Sequence, residues 1–172
     1  MKALVVYDSQ YGNTEKIAKA IGAGFTGDVK VMKVGDVKRE DIAWSKFVII
    51  GSPTQGGRAS MPIRFFLRDL PKDVFTGKRL AAFDTRTKGI FVKMFGFAAD
   101  KIETSLRAKS GNPTAKPQGF FVKSTKGPLV EGEEAKATEW ARAIASGSPT
   151  IKFGGEIDPK SAPGDVDPNV KE

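Results

Sequence analysis

Residues 3–18 read A-L-V-V-Y-D-S-Q-Y-G-N-T-E-K-I-A. The opening Ala3-Leu4-Val5-Val6-Tyr7 is a short apolar run of the kind that forms a strand buried on both faces. It empties into an acid, hydroxyls, amides and a glycine. Ile17 then begins a spacing of four through Ile21 and Phe25, which predicts an amphipathic helix. Residues 8–14 therefore join the carboxyl end of a strand to a helix N-terminus, and they do so without a lysine or arginine. Gly12 allows close backbone approach. The hydroxyls of Ser9 and Thr14, with the first amides of the helix, can converge on one anion, and a phosphate suits them. The stretch is neither G-x-x-x-x-G-K-[ST] nor G-x-G-x-x-G. Taken alone, it reads equally well as an ordinary strand-to-helix turn capped by Asn13 or Thr14.

The same alternation continues outward. Runs 47–50 (FVII), 80–83 (LAAF) and 120–122 (FFV) read as buried strands, and 29–34 (VKVMKV), with Lys30 and Lys33, as an edge strand. Apolar stripes at Ile63, Phe66, Leu67 and Leu70, at Ile102 and Leu106, and at Ala137, Trp140, Ala141 and Ile144 predict further helices. Ser60 before Pro62 suits a helix start, Gly22 and Gly24 put the end of the first helix near residue 24, and Glu131, Glu133 and Glu134 suit the start of the last. Strands alternating with helices imply an α/β protein with a parallel, doubly wound sheet in three layers. Residues 1–146 read as one domain, and the Pro-, Gly- and Asp-rich residues 147–172 as an extended tail.

Composition bounds the chemistry. The 172 residues support one domain, and the chain contains no cysteine and no histidine. Disulfides, thiol nucleophiles, iron–sulfur ligation and the commonest metal ligand are excluded. No catalytic residue and no metal site is assigned, so redox chemistry would need a cofactor. No stretch is apolar enough to span a membrane, and Met1-Lys2 leads directly into a strand, so a cytoplasmic location is expected. The net charge of +8 comes from 28 basic and 20 acidic residues spread along the chain, which suits an acidic partner better than nucleic acid.

Two further segments would emerge on the same rim as the opening loop: G-S-P-T-Q-G-G-R at 51–58 and D-T-R-T-K-G at 84–89. In an open parallel sheet, ligands sit beyond the strand carboxyl ends where the strand order reverses. With S-Q-Y-G-N-T, V-I-I-G-S-P-T-Q-G-G-R, A-F-D-T-R and G-P-L-V-E-G-E (127–133) in this order, residues 2–146 resemble the flavodoxin family, in its single-domain branch.

That resemblance implies a five-stranded sheet of order 2-1-3-4-5 and noncovalent binding of FMN. Ser9, Gln10, Tyr11, Gly12, Asn13 and Thr14 would hold the phosphate. Pro53, Thr54, Gln55, Gly56 and Gly57 would run along the flavin ring, with a glycine peptide able to turn its carbonyl to the reduced ring. Asp84, Thr85, Arg86 and Gly89 would lie near its pyrimidine edge. The loop at 51–60 lacks the aromatic that many flavodoxins place there, leaving Tyr11, Phe91, Phe95 and Phe97 as candidates to cover the ring. Arg58, Arg86 and Lys88, close to the expected site, would favour the anionic reduced ring and raise its potential. The implied function is electron transfer between redox partner proteins, acidic ones suiting the basic body. The alternatives are an NAD(P)H-dependent quinone or flavin reductase of the same fold, and an interaction module without cofactor.

Overall fold

The computed structural model describes residues 1–89 and 95–147. The tail beyond residue 147 and Phe91 lie outside the described residues. β1 (Ala3–Tyr7) is buried along its whole length. It pairs in parallel with β2 (Val29–Lys33) on one side and β3 (Phe47–Pro53) on the other, and β3 pairs in parallel with β4 (Arg79–Thr87). The expected order 2-1-3-4-5 holds, but its fifth position is filled twice. β5 (Asn112–Pro113) lies beside Arg79 and Leu80, and β6 (Gln118–Val122) beside Phe83–Thr87. Pro113 and Pro117 bracket the gap, and neither has an amide hydrogen to offer a ladder.

Helices cover both faces. α1 (Asn13–Gly24) and α5 (Glu133–Ser146) enclose a core of Val5, Ile17, Ile21, Phe47, Phe83, Phe120 and Trp140. Phe83, Phe120 and Trp140 meet edge to face at 6.2 and 6.1 Å. On the other face, α2 (Arg39–Trp44), α3 (Met61–Asp69) and α4 (Ala98–Arg107) bury Ile42, Ile63, Leu67, Ile102 and Leu106 against Leu4, Val48 and Ile50. Each periodic stripe found in the sequence is thus a core face. Helix α2 had no periodic signal, because six residues complete fewer than two turns. Lys30 on edge strand β2 reaches it, bonding Asp41 at 2.7 Å and lying 4.7 Å from the Trp44 ring centre. Ser60 precedes α3 as expected, and its amide donates to Ser52 Oγ at 2.8 Å. Among the described residues no helix is long and apolar enough to cross a membrane.

Candidate functional site

The parallel register sets Tyr7 beside Gly51 and Pro53 beside Thr85, so β1, β3 and β4 end on one rim. Their loops, with the segment after β6, enclose a cavity of about 400 Å³.

The opening stretch forms one wall. Gly12 sits before α1 at φ +86°, a left-handed conformation, and its amide donates to Ser9 Oγ at 3.1 Å. The helix ladder starts with Lys16 N–H on the Gly12 carbonyl at 3.1 Å, so the amides of Asn13, Thr14 and Glu15 precede it and have no acceptor within the helix. The expectation that Asn13 or Thr14 caps this helix is corrected: both lie inside it, and no side chain caps it. Asn13 Nδ2 instead donates to the Lys126 carbonyl at 3.1 Å, tying the loop after β6 to α1. The Thr14 hydroxyl shares a 2.8 Å hydrogen bond with the Thr85 hydroxyl, and both residues are buried. A hydroxyl both donates and accepts, so Thr14 keeps capacity toward the cavity it lines.

The second wall follows β3. Gln55 and Arg58 exchange backbone hydrogen bonds of 2.8 and 3.0 Å around Gly56 and Gly57, whose φ values of +55° and +74° suit a tight hairpin turn. A Cβ on Gly57 would come within 2.6 Å of the Phe95 carbonyl, whereas one on Gly56 would meet open space. Gln55 Nε2 donates to Gln10 Oε1 at 3.0 Å, joining this turn to the opening loop.

Residues expected at the site divide at the end of β4. Thr85 and Arg86 line the cavity, while Gly12, Asp84 and Gly89, expected at the site, do not. Asp84 is wholly buried and holds the Arg86 guanidinium through two bonds of 2.6 and 2.8 Å. It also accepts the Ala99 amide at 2.9 Å, and the Thr54 hydroxyl, which accepts the Ala98 amide at 3.0 Å, bonds it too. Burial pushes the Asp84 carboxyl above its ordinary value, while Arg86, the Ala99 amide and Thr54 pull the other way.

Of the three cations expected beside the ring, only Arg86 lines the cavity. Arg86 carries its own counter-ion, Arg58 lines a different groove, and exposed Lys88 lies 5.1 Å from the Phe121 ring centre. Phe97, also expected as a candidate ring cover, does not line the cavity, and the Arg86 guanidinium lies 3.5 Å from its ring centre. Tyr11 and Phe95 do line the cavity, 47% and 62% exposed. Thr87, within the expected segment 84–89, lines it too, and Val122 and Thr125 line it without having been anticipated. The rim argument applied to β3 and β4 would have found the residues after the last strand as well. Among the described residues no cluster of acidic, histidine or cysteine side chains could hold a metal.

A family model for flavodoxin matches residues 5–146. A flavodoxin of Aquifex aeolicus (strain VF5) is 32% identical over 91 residues, 49% of this chain and 49% of its own, so the matched stretch spans about half of that curated relative. The solved structure of a flavodoxin from the domain Archaea superposes with a TM-score of 0.71 at 26% identity, over 85% of this chain and 97% of that one. Flavodoxin 2 from Bacillus cereus shares the fold, with a TM-score of 0.70 at 23% identity over 85% and 99% of the two chains. The chain belongs to the flavodoxin family, whose members bind FMN and pass electrons to redox partner proteins.

Proposed function

We propose that this chain is an electron carrier that holds FMN noncovalently in the rim cavity. Three observations support the fit. Nothing lies within 4 Å of where a Gly12 Cβ would stand, leaving the opening loop clear. The acceptor-free amides at the head of α1 and the hydroxyls of Ser9 and Thr14 offer donors matched to a phosphate. The cavity, at about 400 Å³, falls within the range of small-molecule sites. The observation that carries the reading is the first turn of α1, where donors without partners face a cavity walled by two other loops.

Ser9–Thr14 would hold the phosphate by hydrogen bonds and oriented dipoles rather than by a side-chain cation, and Thr85 fixes the Thr14 hydroxyl that donates to it. Pro53–Gly57 and Thr85–Arg86 would flank the ring, with Tyr11 or Phe95 shielding it from water. When bound, FMN supplies the one-electron chemistry that a chain lacking cysteine and histidine does not have. The Asp84–Arg86 pair fixes the wall nearest α4 and delivers no net charge to the cavity. The Gly56–Gly57 peptide can reorient, because both residues tolerate backbone angles closed to others.

Titrating the apoprotein with FMN and following flavin fluorescence tests binding, and stoichiometric quenching is expected. A carrier, unlike a reductase, should then oxidise no NAD(P)H in the presence of a quinone unless a separate reductase is added. Rapid turnover by the chain alone would contradict the carrier reading.

A further inference from the structure

A second concavity, of about 550 Å³, lies between α3 and α4, lined by Arg58, Arg64, Arg68, Lys72, Lys101 and Lys109. Its floor is apolar: Ala59, Leu67 and Ile102 line it and are 7%, 4% and 1% exposed. Among the described residues no carboxylate lines it.

The six cations are not equivalent. Lys109 bonds the carbonyls of Leu70 and Arg68, Lys101 reaches the Phe95 carbonyl at 3.3 Å, and Arg68 pairs with Asp69 at 2.7 Å. These three side chains already have partners within the chain. The side chains of Arg58, Arg64 and Lys72 are exposed, and no hydrogen bond or ion pair engages them among the described residues. These three unengaged cations repel one another, and an anionic occupant would relieve that repulsion. The groove also adjoins the cofactor cavity, because Arg58 follows directly on Gly57, which lines that cavity.

We propose that this groove docks an acidic, amphipathic segment of a redox partner protein. Apolar side chains of the segment would meet the floor, and its carboxylates would meet Arg58, Arg64 and Lys72. A partner seated there touches the turn that walls the FMN site, which is where an electron must cross. Nucleic acid fits less well, because among the described residues no aromatic side chain lines the groove for bases to stack on. The inference rests on the carrier reading for its purpose, while the groove itself is tested separately.

The test uses the FMN-loaded full chain and a fluorescein-labelled peptide, E-L-D-E-L-L-E-E, read by anisotropy and by amide chemical shifts. An oligothymidine of equal charge and inorganic phosphate serve as competitors. The peptide should bind, shift amides of α3, α4 and residue 58, and weaken as salt rises from about 50 to about 200 mM. The double variant Arg64→Glu, Lys72→Glu should weaken it by about tenfold or more while leaving FMN absorbance and thermal unfolding unchanged. Both side chains are exposed, so folding should survive the change. Unchanged affinity in the variant, shifts confined to another surface, or tighter binding of the oligothymidine at the groove would overturn the proposal. If FMN does not load at all, the carrier reading fails, and the peptide result still judges the groove on its own.

Discussion

Thr14 is the residue on which the proposed site turns, because its hydroxyl joins the opening loop to β4 through Thr85 and borders the cavity. Thr14→Ala removes one charge-assisted hydrogen bond to the phosphate, a loss of about 1.5–3 kcal/mol. FMN dissociation constants measured by fluorescence quenching should therefore rise roughly tenfold to a hundredfold, whereas Thr14→Ser should stay near wild type. Arg86 obeys a different logic. It is paired with wholly buried Asp84, so Arg86→Ala strands a buried carboxylate at a cost of about 3–5 kcal/mol, to be read from urea unfolding. These two roles show how far single residues can be read from sequence. A hydroxyl at the head of a helix advertises its chemistry through spacing alone. The pairing of Arg86 with Asp84 two positions earlier, and its stacking on Phe97, depend on which way β4 turns its side chains, so the sequence left Arg86 and Phe97 looking free.

Elements show the same division. Strands buried on both faces and helices with long stripes were legible, since burial dictates their composition. Helix α2 and strand β5 were not, being six and two residues long. The glycines of α1 illustrate what spacing hides. Helix propensity alone predicts that Gly24→Ala gains about 1 kcal/mol. A Cβ there would come within 2.5 Å of the Thr138 carbonyl and 2.6 Å of Ala141 Cβ, so α5 occupies its place. Chemical denaturation should instead show destabilisation of about 1–3 kcal/mol. The contact of β2 with α2 is pH-sensitive. The Lys30 ammonium and the Lys38 amide hold the Asp41 carboxyl below its ordinary value. Its contribution is therefore present above the unfolded value of about 3.9 and is lost as pH falls through the lower folded value. Asp41→Asn should lower the urea midpoint at pH 7, and the difference from wild type should shrink as the pH drops below about 4.

At the scale of the whole molecule, the sheet's strand reversal between β1 and β3 brings loops distant in sequence to one rim, and a ligand bridging them should couple to global stability. FMN at about a hundred times its dissociation constant should stabilise the fold by about 2.7 kcal/mol, equivalent to a rise in melting temperature of roughly 5–10 °C for a domain of this size. The order of the three loops along the chain was enough to anticipate this assembly. The basic groove between α3 and α4 was not foreseeable, because its cations come from two stretches, 58–72 and 101–109, that only packing unites.

If donors at the head of α1 grip a phosphate, FMN should outbind riboflavin, which differs only in lacking that group. Two or more charge-assisted hydrogen bonds predict FMN binding at least about a hundredfold tighter by titration calorimetry. Equal affinities for the two flavins would mean that these donors hold no phosphate.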